Sequence, residues 1–314
     1  GSDREQLTSL ARTCSGIGDA IPTVLTMTVV PILGAGSSMA DYRIGFKWWA
    51  LIIAVVFVIS ELVCVACVPE RPVACDEKPG KISDMFKALF KNDQAMTVVV
   101  SIILVYTSLN ICGNLVLYFF RFDVGNEGAY SIFAAVAFAA QVLVMMVIPL
   151  LRKRFSKSQL FISGFIIQIA GFAVILIMAF AKLYTPQSWY ILCLPGILIY
   201  LGYGMLNVIM TIFLSDSVDY GEVMNGTREE SVIFSMQTFT VKLASGVAVF
   251  LAGLVVDWIH LDTAAAVQTQ DTLDALRMWM TIPSVILLIV GIFVFKRFYK
   301  LDDTRMEEIK SKLN

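Results

Sequence analysis

Histidine is almost missing: His260 is the single one in 314 residues, which removes the side chain that most zinc and non-haem iron sites rely on. Charge is scarce as well. Only 16% of residues are Asp, Glu, Lys or Arg, and 24 cations against 25 anions leave no basic surplus, so nucleic acid is excluded as a partner. The spacings G-x-x-x-x-G-K-[ST], H-E-x-x-H and G-x-S-x-G do not occur, and with them go the simplest nucleotide, zinc-protease and serine-hydrolase readings. The six cysteines, at 14, 64, 67, 75, 112 and 193, lie mostly inside apolar runs and lack the setting of a small secreted disulfide scaffold. They read as free, small apolar residues. Cys64 and Cys67 form C-x-x-C, but no second pair or histidine cluster completes a zinc site. No signal peptide is expected, because Asp3-Arg4-Glu5 leads into a long span rather than a short apolar core with a cleavage site.

What fills the chain instead is apolar residue, 58% of it, with a mean hydropathy of +0.77. A spanning helix needs roughly 20 mostly apolar residues. Runs of that length fall at about 11–33, 46–68, 96–119, 129–150, 159–181, 189–214, 231–256 and 278–296. The fold class is therefore all-α: a polytopic membrane protein with eight transmembrane helices. Pro22, Pro31, Pro149, Pro195 and Pro283 lie in these runs, where neighbouring helices re-satisfy the freed backbone groups.

Lys and Arg are unevenly placed. With the N-terminus cytoplasmic, eighteen fall on inner segments and five on outer ones, Lys242 being left inside a span. By the positive-inside rule both termini are cytoplasmic. The longest polar stretch, Pro69 to Gln94, ends in Ile82, Met85, Phe86, Leu89 and Phe90 at helical spacing and reads as a cytoplasmic linker with a surface helix. The expected organisation is two helices of an N-terminal bundle over 1–69, the linker over 70–95, a six-helix bundle over 96–298 and a cytoplasmic tail over 299–314. Secondary transporters built as two equal six-helix halves place such a linker between the halves. On that reading about 130 residues carrying four further spans are expected ahead of Asp3.

Charges inside spans are costly, roughly 2.5–3.5 kcal/mol at a helix centre on insertion scales, so they carry the functional argument. Lys242 is the clearest, and two readings stand for it: a structural lysine paired to a carboxylate, or a cavity residue meeting substrate. Arg12 and Asp19, seven apart, share one face of the first span; Arg12 also reads as an interface anchor. Neutral polar residues pair at four-residue spacing: Asn110 with Asn114, Tyr203 with Asn207, Thr238 with Lys242, with Gln237 alongside. With Tyr106 and Tyr118 nearby, these faces suit a site that hydrogen-bonds hydroxyls and stacks on a ring, and equally suit helix cross-linking.

The segment Ser215-Asp216-Ser217-Val218-Asp219-Tyr220-Gly221-Glu222, then Gly226-Thr227-Arg228-Glu229-Glu230-Ser231, Gln237-Thr238 and Lys242, resembles the signature of the glycoside-pentoside-hexuronide:cation symporters, a family of the major facilitator superfamily. Arg4-Glu5-Gln6-Leu7 leading into Arg12 resembles the start of that family's fifth helix. The resemblance implies a partial major-facilitator fold and cation-coupled symport of a sugar or glycoside by alternating access, without enzymatic chemistry. It implies a substrate site that includes Arg12, Gln237, Thr238 and Lys242, to which the reading of the spans adds Asp19, Asn110, Asn114 and Asn207, with Asp19 and Asn207 departing from the family's pattern. No cofactor is implied. The coupling cation, Na+, Li+ or H+, is expected mainly on carboxylates of helices that this sequence does not contain. Asp216, Asp219, Tyr220, Glu222 and Arg228 form the expected cytoplasmic gate, with Lys153 and Arg154 facing the acids; a solvated acidic loop is the other reading. The partners are then sugar, cation and the bilayer of the cell membrane. A non-transporting membrane remnant or partner subunit, and a carrier of amphiphilic non-sugar substrates, are the competing functions.

Overall fold

Lipid offers the backbone no hydrogen-bond partners, so apolar runs of this length satisfy their own N–H and C=O groups as helices. The computed structural model describes residues 2–36, 39–67, 90–226, 230–263, 265 and 267–313, and among these every long element is helical. The helices are α1 (Ser2–Gly34), α2 (Met39–Cys67), α3 (Asp93–Tyr118), α4 (Ala129–Leu151), α5 (Lys157–Phe180), α6 (Cys193–Asn225), α7 (Glu230–Trp258), α8 (Gln270–Phe298) and α9 (Asp303–Leu313). A π-helical turn, Phe119–Asp123, extends α3, and a 3₁₀ turn, Trp189–Leu192, leads into α6. Seven helices are long and apolar enough to cross a membrane, and α1 makes an eighth if its two arms count as one span. Those arms meet at 50° between Thr26 and Thr28. Pro31 supplies the cause, since it has no N–H for the carbonyl four residues back, that of Met27, and its ring crowds that carbonyl.

Two compact units divide the chain, residues 17–80 and residues 1–16 with 81–314. In the first, Gly45 approaches so closely that a Cβ there would stand 2.0 Å from the Val30 carbonyl oxygen, and Trp49 Nε1 donates to Thr26 Oγ1 at 2.8 Å. Residues 51–67 of α2, mostly Ile, Val, Leu, Phe and Ala, are exposed. The linker's amphipathic stretch, 82–89, lies outside the described residues.

In the second unit α6 is the central helix, with Leu206, Val208, Ile209, Phe213 and Leu214 fully buried. Glycine allows α5 and α6 to touch: a Cβ on Gly202 would lie 2.6 Å from the Gly164 carbonyl oxygen and 2.7 Å from the Gln168 nitrogen. Small residues drive such contacts because lipid gives no hydrophobic push between helices. One end of the bundle is closed by Phe161, Phe165, Phe213, Phe295 and Tyr299, ring centroids 4.4–5.3 Å apart. There Leu301, ahead of α9, and Met306 and Ile309 on it pack against Tyr220, Val223 and Tyr299. The expected tail is thus a helix seated on α6 from 303 onward.

Candidate functional site

The middle of the second unit holds a polar chain among apolar neighbours. The Arg12 Nε donates to Thr211 Oγ1 at 3.0 Å, and that hydroxyl donates to the Asn207 carbonyl at 3.0 Å. The Asn207 side chain, 8% exposed, donates to the Tyr106 hydroxyl at 2.7 Å and approaches the Tyr203 hydroxyl at 3.5 Å. Tyr106 and Tyr203 meet edge to face, centroids 5.6 Å apart. Helical spacing explains the alignment: Tyr203, Asn207 and Thr211 fall four apart on α6, as Tyr106, Asn110 and Asn114 do on α3. The α3 amides turn inward on their own helix, Asn110 donating to the Tyr106 carbonyl and Asn114 to the Asn110 carbonyl, both at 2.7 Å. Each keeps its side-chain oxygen and one N–H for a further partner.

The remaining residues expected at the substrate site divide. On α7 Gln237 is buried, whereas Thr238 and Lys242 are exposed, the Thr238 hydroxyl bonding the Phe234 carbonyl at 3.2 Å. Among the described residues no carboxylate pairs with Lys242. Asp19 is exposed on α1 and belongs to the 17–80 unit.

The acidic signature occupies the last turns of α6, and its buried members are specifically held. Asp216 pairs with Lys157, the first residue of α5, both side chains 5% exposed, and Lys157 also meets Asp303 of α9 at 3.4 Å. Arg152 reaches the same Asp303 at 3.4 Å. The expected cations Lys153 and Arg154 instead line an open pocket beside Asp303 and Glu307. Lys157 opens a helix whose axis carries its stem into the bundle, while 153 and 154 sit on an exposed turn. Asp219 is buried, Glu222 and Tyr220 are half-buried, and Arg228 lies outside the described residues. Asn92 locks this end to α3, its Oδ1 capping the helix at Ala95 N (2.9 Å) while its Nδ2 donates to the Ser217 carbonyl at 2.7 Å. The Tyr299 phenol, placed outside α8, is pushed well up by burial and then by the charges of Asp216 and Asp303.

A second buried charge cluster, absent from the sequence reading, stands at the opposite end. Asp123, at the end of the π turn, receives both Nε (2.9 Å) and Nη2 of Arg277, with side chains 3% and 4% exposed. Arg277 Nη1 also meets Asp274 at 2.7 Å, and the Tyr184 hydroxyl donates to Asp123. Burial first, then the Asp123 charge, raises the Tyr184 phenol. A signal existed in the sequence: both charges abut apolar runs, at 119 and 278.

Among the described residues no group of His, Cys, Asp and Glu is placed to hold a metal ion. What the site offers is a guanidinium, an ammonium, amides, hydroxyls and aromatic edges inside a membrane bundle.

Comparison with known proteins gives a family model described as MFS/sugar transport protein that matches residues 1–303. A raffinose carrier protein of Pediococcus pentosaceus is 24% identical over 318 residues, covering 99% of this chain and 48% of its own. An isoprimeverose transporter of Lactiplantibacillus pentosus is 24% identical over 96% of this chain and 61% of its own. A lactose permease of Lactobacillus delbrueckii subsp. bulgaricus is 24% identical over 99% and 49%. The chain thus spans about half to three-fifths of the length of these relatives.

Proposed function

The chain belongs to the MFS/sugar transport protein family, and on that premise we propose that it serves cation-coupled symport of a sugar or glycoside across the cytoplasmic membrane by alternating access. The observation that carries this reading is the polar chain from Arg12 through Thr211 and Asn207 to Tyr106. Sugars are bound by such sets: hydroxyls accept from cations and amides, and ring faces lie on aromatic edges. Lys242, mid-helix and without a carboxylate partner among the described residues, supplies a cation to the same substrate. Its cost inside the membrane is then offset by sugar hydroxyls and water in a cavity. The coupling ion is Na+, Li+ or H+, and no covalent bond changes. The eighteen-to-five bias of Lys and Arg supports cytoplasmic termini, so the Asp216–Lys157–Asp303 cluster lies on the inner side and acts as a gate whose ion pairs hold one conformation.

The test uses the product of the intact gene that encodes this chain. Labelled glycosides should accumulate in cells under a sodium or proton gradient. Lys242→Leu should cut binding by the equivalent of a charged hydrogen bond, about 10- to 150-fold, with membrane insertion retained. Wild-type cells that accumulate no sugar, or a Lys242→Leu variant with unchanged affinity, would defeat the reading.

A further inference from the structure

Above the polar chain, toward the end that carries Asp123, α3 and α7 separate into a cleft of about 540 Å³ lined by Asn114, Tyr118, Val249, Gly253 and Asp257 among others. That volume falls in the range of small-molecule sites. Three features of its walls point to what fills it.

The first is a ladder on α3. Tyr106, Asn110, Asn114 and Tyr118 recur every four residues, about 6 Å per step, the scale of one sugar ring. The lower rungs belong to the site already described; the upper two open into the cleft. The second is the facing surface of α7, where Lys242, Gly246, Val249, Gly253 and Asp257 follow one another at three- and four-residue spacing and so share a face. A Cβ built on Gly246 or Gly253 meets nothing within 4 Å, so the strip is open at both glycines. The third is unspent polarity. Asn114 has spent one N–H on its own helix, and neither the Tyr118 hydroxyl nor the Asp257 carboxylate has a partner among the described residues. A carboxylate, an amide and a phenol ring around a glycine floor are groups that hold a pyranose: the acid accepts from paired hydroxyls and the ring packs on its apolar face. An acyl chain would pack on Val249, Phe250, Leu254 and Val256 of the same cleft but leave all three polar groups unsatisfied, at a cost.

We infer that this cleft is a subsite for the outer rings of an extended saccharide, so that it sets which chain lengths the protein takes. The inference rests on the sugar-carrier reading: the ring nearest Lys242 and Asn207 is held by the site above, and further rings rise along the ladder to Tyr118 and Asp257. Selectivity for length then comes from a region that a single-ring glycoside does not reach.

The test compares methyl glycosides of galactose, glucose and xylose with the matched di- and trisaccharides, binding to purified protein from the intact gene. Gly253→Leu fills the cleft, and Asp257→Asn removes the charge at almost constant shape. Both should weaken binding of the longer saccharides about tenfold and leave the matched methyl glycosides within about twofold. Equal effects on short and long sugars, or no effect on either, would overturn the inference and leave the carrier reading standing. A wild-type protein that binds none of these sugars would overturn both. Asp257→Asn decides the matter should Gly253→Leu fail to insert.

Discussion

Removing the Asp123 carboxylate is the sharpest test of how the bundle is held at that end. Its partner Arg277 is 4% exposed and donates two hydrogen bonds to Asp123, so Asp123→Ala leaves a buried guanidinium with Asp274, itself 38% exposed, as its remaining carboxylate among the described residues. Breaking one side of a buried pair costs about 3–5 kcal/mol. Because Asp274 still neutralises part of the charge, the lower figure applies, about 3 kcal/mol. At about 2–4 °C per kcal/mol for domains of a few hundred residues, unfolding in detergent should fall by about 6–12 °C. Tryptophan fluorescence is the natural readout, since Trp258 and Trp279 lie 5.5 Å apart at this end. The double variant Asp123→Leu/Arg277→Met replaces both charges with apolar volume, and such swaps are often neutral. It should melt within a few degrees of the wild type. If Asp123→Ala melts normally, or the double variant is as unstable as the single one, the buried-charge argument is wrong.

Two further expectations follow from the same geometry. Tyr184 has a phenol raised by burial and by Asp123, so its contribution to stability is full below the unfolded value of about 10 and declines as pH rises above it. Tyr184→Phe should remove up to about 1.4 kcal/mol per pH unit of that alkaline slope, measured as melting temperature from pH 8 to 11; an unchanged slope would place the proton elsewhere. At the α5–α6 contact, Gly202→Ala forces a methyl against the Gly164 carbonyl at 2.6 Å, and backbone cannot step aside. Overpacking of this kind costs about 1–3 kcal/mol, whereas Gly246→Ala, open on all sides, should be silent in the same melt.

The spans were legible because apolar composition over twenty residues is a local property. Part of the polar chain was legible too: four-residue spacing placed Tyr203 with Asn207 and Asn110 with Asn114 on shared faces, and Arg12 is found at that level through Thr211. The charge pairs were not. Lys157 finds Asp216 across 59 residues and Arg277 finds Asp123 across 154, and nothing local distinguishes a lysine that enters the bundle from its neighbours on the exposed turn. Both cations adjoin polar loops in the sequence, and their burial comes from helices that pack far along the chain. The π turn was equally invisible, because Phe119 to Asp123 carries no residue type that demands it.

That turn makes hydrogen-bond register itself a structural quantity at this point. A π turn holds one residue more than an α turn closes with, and each α-helical residue rotates its side chain by about 100°. Were the same residues wound as regular α-helix, the Val124 N–H would bond the Phe120 carbonyl in place of the Phe119 carbonyl that it bonds here. Side chains past the turn would then lie about a quarter-turn or more further round α3, and Asp123 would leave Arg277. The register of one hydrogen bond therefore decides whether a guanidinium and its counterion meet, without altering either residue.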